Sequence, residues 1–394
     1  MGHIFSLLFK NYLTKYKSVY MKILMIGWGF PPNIEGGLDT HCYELSKAIV
    51  KKGHEVHLAL PSFNNPDKNV DKIKIRAIRT PKYRSSLRTI LRYNKNIFKE
   101  LVNETFDIIH THDWFGTLAA FKIREVNKTP WVLTLHSFEY MRACGSGNKE
   151  IEQIENFGIK YCDRIIAVSN LVKKEIENRY GLGKKIDVIY NAAGPKLKAY
   201  PEAIRRKYNL KNEFIILSVS RLTHQKGIEY LLYAAKDVLK KFPDTKFIIV
   251  GKGYLLGSLK KFVRNIGISK SVIFTGFVPE SEIPSYYKAA DIFVMPSVYE
   301  PFGISALEAM SYGCPVIATE NAGVCEKLKN GKDIVEVKPK DSKSICKAII
   351  MLLKKKKLRK GIGENGMKSS KKTYSWKIAA KQTLDVYSQL TKNV

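Results

Sequence analysis

From Met21 onward the chain alternates short, β-branched apolar runs with helix-length amphipathic stretches, and this alternation limits the fold more than any other feature. The first half carries KILMIGW, EVHLALP, KIKIRAI, DIIH, WVLTLH, RIIAVS and DVIYN. The second carries FIILSVS, KFIIVG, VIFTGF, DIFVMP, CPVIAT and DIVEV. Strands that are apolar throughout need cover on both faces, so the pattern predicts α/β architecture with parallel sheets between helices. A length of 394 residues exceeds what one ordinary core organises and suits two. The alternation breaks once, at the basic, proline-containing stretch NAAGPKLKAYPEAIRRKYNLKNE (191–213), where the domain junction is expected. The prediction is an extension over residues 1–20, one doubly wound domain over 21–195 and a second over 196–375. Two such domains facing each other leave a cleft at the carboxyl ends of both sheets, where ligands of these folds bind. The closing segment SWKIAAKQTLDVYSQL (375–390) has Ile378, Ala379, Leu384, Tyr387 and Leu390 near helical spacing. It either caps the second domain or reaches back to the first.

Charge and composition remove several classes. Hydrophobic residues at 45% and charged residues at 26% describe a globular chain, and no apolar run approaches the ~18–20 residues that span a bilayer. The start, MGHIFSLLFKNYLTKYKSVY, lacks a basic leader before its short apolar patch, so no signal peptide is expected. It reads either as an extra leader before a start at Met21 or as a basic–apolar membrane contact. The formal charge of +31 concentrates in residues 68–99 and in LLKKKKLRKG (352–361). With no zinc-finger spacing, RRM signature or aromatic-interleaved basic repeat, no nucleic-acid partner is expected. Most of this charge reads as solvated lysine surface, with peripheral contact to an anionic membrane as the sharper reading for 68–99. Six cysteines without a CxxC pair predict reduced structural thiols and a cytoplasmic protein.

The segment VYEPFGISALEAMSYGCPVIAT (298–319) predicts a short helix between two strands, opening at Gly303 and closed by Gly313 and Pro315. It sets Glu300 just before the helix and Glu308 on its second turn. Gly303, Ile304 and Ser305 would aim backbone N–H groups into the cleft, where a helix N-terminus favours an anion. Arg221 and Lys226 fall after a strand in SVSRLTHQKG (218–227) and suit a diphosphate. The first turn, GWGFPPNIEGG (27–37), is not GxGxxG, and the second strand ends without an acidic residue, which argues against a dinucleotide enzyme. Its Gly36 and Gly37 precede an amphipathic helix, where a ligand can approach the backbone. No D-x-D occurs, so leaving-group charge falls to Arg221, Lys226 and helix N–H groups, and no metal is required. Alternate His110 and His112 with Asp113 could suggest a metal, but no third ligand is near in sequence and strand-end histidines commonly line a cleft.

EPFGISALEAM resembles the E-x7-E motif of retaining glycosyltransferases of the GT-B fold, group 1 (family 4). PPNIEGG, KKGHEVHLALP, HTHDW, LTLH, RIIAVSN, SVSRLTHQKG, VGKG, FTGFV and GENG…YSW agree in order, from about Met21 to the end. The resemblance implies two Rossmann-like domains, a final helix (376–394) crossing back to the first, and a nucleotide-sugar donor held by the second domain. It implies Glu300 at the donor hexose, Glu308 at the ribose, Arg221 and Lys226 at the diphosphate, and His136 beside the transferred sugar. Gly37 would approach the donor phosphate. HTHDWFGTLAA and EGGLD are similar to the glycogen and starch synthase branch, which implies UDP- or ADP-glucose as donor, a glucan acceptor and Asp113 near the acceptor-side sugar. Ile34 stands where that branch has lysine, and NAAG (191–194) stands for N-G-V-D. The rival functions are an acceptor that is lipid-linked or small, a glycoside hydrolase using Glu300 and Glu308, a nucleotide-sugar epimerase, and a non-catalytic nucleotide-sugar-binding protein.

Overall fold

The computed structural model describes residues 20–30, 36–64, 69–145, 147–181, 183, 185–194 and 196–391. The proposed extension, save Tyr20, and the Ile34 departure lie outside them. Each of the runs read as strands forms one. The first sheet holds β1 (Lys22–Ile26), β2 (Glu55–Pro61), β3 (Asn69–Val70), β4 (Ile73–Ile78), β5 (Ile108–His112), β6 (Trp131–Leu135), β7 (Arg164–Ala167) and β8 (Ile186–Val188). The second holds β9 (Phe214–Val219), β10 (Thr245–Val250), β11 (Val272–Gly276), β12 (Ile292–Met295), β13 (Val316–Thr319) and β14 (Val335–Val337). The orders are β3-β4-β2-β1-β5-β6-β7-β8 and β11-β10-β9-β12-β13-β14. All pairs are parallel except β3 with β4. That two-residue edge strand carries no apolar run and was not legible as a strand.

Central strands are buried along nearly their whole length, as continuous Ile, Leu and Val runs require. Next to that edge, β4, which β3 covers only at Ile73 and Lys74, exposes Lys74 and pairs Arg76 with Glu104, which discourages edge-to-edge association. Strand order reverses between β1 and β5 in the first sheet and between β9 and β12 in the second. The crevices at those two reversals face each other, and the loops after these four strands, with the one after β6, build the site.

One apolar cluster runs without a break from Leu24 and Ile109 to Ile215 and Phe293, through Val168, Phe302 and Tyr374. Glu326 of the second domain seals the junction. Its carboxylate accepts from Asn170 N and Leu171 N, both at 2.9 Å, at the start of the helix Asn170–Tyr180, and from Tyr190 Oη at 2.9 Å. An anion at a helix N-terminus is well placed electrostatically. The last helix, Trp376–Thr391, returns to the first domain. Ala379, Ala380 and Tyr387 join its core, Tyr387 Oη lies 2.5 Å from His110 Nδ1, and Trp376 donates to Ala193 O at 2.9 Å. Among the described residues no helix is long and apolar enough to cross a membrane.

Candidate active site

After β12 the chain turns through Ser297–Gly303 into the helix Ile304–Ser311. Gly303 caps it at φ +105°, and a Cβ there would stand 2.8 Å from the Met295 methyl, so both conformation and space call for glycine. Ala306, Leu307, Ala309 and Met310 bury the helix against the sheet, while Ile304 and Ser305 stay partly exposed at its first turn. The N–H groups of Ile304 and Ser305 have no intrahelical acceptor and lie at the positive end of the helix.

Glu300, on the preceding loop, is 7% exposed. Its Oε2 accepts from Lys226 Nζ at 2.7 Å and from Ser297 Oγ at 3.1 Å. Lys226 ends the short turn His224–Lys226 that follows β9. The next residue, Gly227, has φ +61°, and a Cβ on it would meet Pro296 O at 2.2 Å, so the loops after β9 and β12 pack backbone to backbone. Arg221 is exposed and has no ion-pair partner among the described residues. Glu308 sits a turn deeper, accepting from Tyr287 Oη at 2.8 Å. Burial raises its carboxyl to about 7, the Tyr287 hydrogen bond opposes this, and Glu280 adds to it.

From the first domain, Gly37 opens the helix Gly37–Val50 directly opposite Ile304: a Cβ on Gly37 would lie 3.2 Å from Ile304 Cδ1. Two helix N-termini, one per domain, therefore meet across the cleft. Gly36, at φ 179°, has extended backbone with open space around it, so neither conformation nor contact requires glycine there.

His136 follows β6 and is 8% exposed, with Nε2 3.2 Å from His112 Nδ1. Asp113 follows β5 in the left-handed region at φ +48°. Its Oδ1 accepts from His136 N at 2.6 Å and Ser137 N at 3.3 Å, and Oδ2 lies 3.5 Å from Arg142 Nη1. Burial raises this carboxyl to about 6 while Arg142 and the two N–H groups pull it down. The Asp113 carboxylate is thus turned onto the His136 backbone rather than held free in the cleft. Arg142 also pairs with Glu155 at 2.7 Å and Glu139 at 3.0 Å, and burial pushes Glu155 up to about 7.

The sequence reading passed over His41. It lies one turn into the helix Gly37–Val50, its ring centroid 4.6 Å from that of His136 and 5.1 Å from that of His112. Its Nδ1 is 2.6 Å from Asn191 Oδ1. His110, by contrast, is spent on Tyr387 and on Thr134 Oγ1, 2.6 Å away. Burial lowers His41 to about 4 and holds His110, His112 and His136 well below the ordinary imidazole range, so these rings are neutral at pH 7. The available signal was position: His41 falls four residues after Gly37, on a helix aimed at the cleft.

Cationic side chains, a helix N-terminus and a paired carboxylate on one wall, with neutral imidazoles opposite, suit a ligand that joins a diphosphate to a polyhydroxylated ring. Comparison with known proteins agrees. A family model described as Glycosyltransferase Family 4 matches residues 35–195, and one described as Glycosyl transferases group 1 matches residues 201–369. An uncharacterized glycosyltransferase of Methanocaldococcus jannaschii is 32% identical over 382 residues, covering 93% of this chain and 98% of that protein. A glycogen synthase of Mycobacterium tuberculosis is 26% identical over 394 residues, covering 93% and 94%. Among solved structures, Anabaena HepE in complex with UDP-glucose superposes with a TM-score of 0.78 at 19% identity, covering 94% of this chain and 100% of that one. The chain belongs to the group 1 (family 4) glycosyltransferases and has the GT-B fold.

Proposed function

We propose that the chain is a retaining hexosyltransferase that takes UDP- or ADP-glucose as donor and an α-glucan, or a related glycan, as acceptor, without a metal cofactor. The observation that carries this reading is the approach of Gly37, across the cleft, to the Ile304–Ser311 helix start that follows the Lys226–Glu300 pair.

In this reading Arg221, Lys226 and the N–H groups of Ile304 and Ser305 hold the diphosphate, and Glu308 accepts from the ribose hydroxyls. Glu300 and His136 bracket the hexose. The bond between the anomeric carbon and the phosphate oxygen breaks while the acceptor hydroxyl attacks from the same face. The departing phosphate takes the hydroxyl proton. Negative charge grows on the diphosphate as this happens, so Lys226 and Arg221 interact more strongly with the transition state than with the bound donor. Neutral imidazoles opposite add no like charge beside a sugar that becomes cationic.

The test measures release of nucleoside diphosphate from UDP-, ADP- and GDP-sugars with and without glycogen, and reads the product anomer by NMR. Glycogen-dependent release from UDP- or ADP-glucose with an α-linked product supports the proposal. Release with inverted stereochemistry, or hydrolysis of donor without transfer, overturns it.

A second acceptor class is favoured by a specific surface. A shallow groove of about 280 Å³ between the helices Ser86–Leu101, Thr117–Asn127 and Lys149–Tyr161 is lined by Leu87, Leu91, Leu118, Ile154 and Phe157, with Glu150 and Gln153 at its Lys149–Tyr161 wall. Arg84, Arg88, Arg92 and Lys95, on or just before the Ser86–Leu101 helix that forms one wall, are exposed. Cationic side chains around an apolar groove on the acceptor-side domain suit an acceptor carried on an anionic membrane. Salt-sensitive sedimentation with phosphatidylglycerol vesicles supports this reading; no binding at low salt removes it.

A further inference from the structure

We propose that His41, His112 and His136 form a binding site for one divalent ion of the zinc class, and that an ion held there inhibits glycosyl transfer by engaging His136. One ring nitrogen from each histidine lies within 4.8 Å of the other two, and all three residues are buried. Zinc–nitrogen bonds of about 2.0–2.1 Å arranged tetrahedrally separate the ligand nitrogens by about 3.3 Å. The His112–His136 pair already stands at 3.2 Å. The His41 nitrogen must close in from within 4.8 Å to about 3.3 Å when an ion binds.

The state of His41 is the second observation. Asn191 Oδ1 accepts at its Nδ1, which fixes the proton on that nitrogen and leaves Nε2 a bare lone pair. That Nε2 is buried without a hydrogen-bond partner. Buried acceptors without donors are costly, and a cation satisfies them. Asn191 also plays the part that outer partners play for metal-bound imidazoles, orienting the ring through the nitrogen that does not bind. Imidazole ligands select zinc, cobalt, nickel and copper over magnesium or calcium. His136 is the most exposed of the three, at 8% against 2% for His41 and 0% for His112, so an ion would enter from the cleft and keep its open position there. His110 is excluded because both of its ring nitrogens are bonded.

The inhibitory half rests on the placement of His136 beside the transferred sugar; the binding half does not. The experiment titrates the chelator-treated full chain with Co²⁺ and follows visible absorption, then displaces it with Zn²⁺. The expected result is one ion per chain with the intense bands of a low-coordinate histidine site. His41→Gln should abolish those bands, and Asn191→Ala, which keeps all three ligands, should weaken affinity about 10–100-fold. His54→Ala serves as a control and should change neither. Circular dichroism confirms that each variant is folded. Absence of bands in the native chain, or bands that survive His41→Gln, overturns the site. Zn²⁺ should suppress diphosphate release and EDTA restore it. Binding without inhibition keeps the site and overturns the assignment of His136; inhibition that persists in His41→Gln overturns the link between them.

Discussion

On the first domain's side of the cleft, ionisable groups are buried and matched to one another. Asp113 and Glu155 share Arg142, and the histidines are neutral. On the second domain's side, Arg221 is exposed and unpaired among the described residues, and a helix N-terminus opens onto the cleft. Among the described residues Lys226 and Glu300 are matched there to each other, and Glu308 to Tyr287. The difference follows the ligand each wall is read to hold. A diphosphate brings its own charge, so its wall keeps cations in reserve; a neutral sugar needs shape and fixed dipoles, so its wall is closed and rigid. Desolvation is what makes the first arrangement costly and the second strong.

Four substitutions sharpen or break this contrast. Lys226→Ala should act most strongly, lowering turnover by about 10²–10³, because it removes the proposed diphosphate contact and leaves the Glu300 carboxylate without its cation. Steady-state rates with a saturating donor would check it, and near-normal turnover would mean that the charged wall is not where the leaving group sits.

Glu308→Gln tests the pH side. The folded carboxyl, raised to about 7, holds its proton more tightly than the unfolded chain does. Stability is therefore lost as pH rises from about 4.5 to about 7, and the full cost stands above that range. Glutamine removes that cost, so the variant should gain up to about 3 kcal/mol over the native chain at pH 8 and almost nothing at pH 4. Urea unfolding at both pH values measures this. Donor affinity should fall in the same variant, because glutamine keeps only one acceptor oxygen for the ribose.

Asp113→Ala strips the acceptor from two backbone N–H groups and an ion-pair partner from Arg142, and should cost about 2 kcal/mol of stability. If the unfolding midpoint is unchanged and only acceptor KM rises, Asp113 touches the acceptor instead of holding the His136 loop. The smallest effect belongs to Gly37→Ala. Its new methyl must press on Ile304 Cδ1, so donor KM should rise by a few-fold, and Ile304→Val in the same chain should restore it. Failure of the rescue would mean that the two helix starts do not approach in the working enzyme.

Much of this was legible in the sequence because it depends on local pattern. Continuous apolar runs became strands, and Gly303 and Gly313 bounded the helix that carries Glu308. The E-x7-E spacing placed two carboxylates on one side of the cleft without any knowledge of the other side. What stayed hidden depends on pairs far apart in the chain. Lys226 meets Glu300 across 74 positions, and His41 meets Asn191 across 150. Asp113 shows the limit most directly. Its place at a strand end was readable, but its left-handed backbone, which turns the carboxylate onto the His136 N–H, was not.

The returning helix Trp376–Thr391 has a consequence for the order in which the protein is made. Its Tyr387 lies against His110, and its Ala379 and Ala380 complete the apolar core beneath β1 and β2. A ribosome delivers those residues only after both sheets have emerged, so the first domain to be synthesised is the last to be finished. Until then the apolar surface that the last helix covers stays open to solvent.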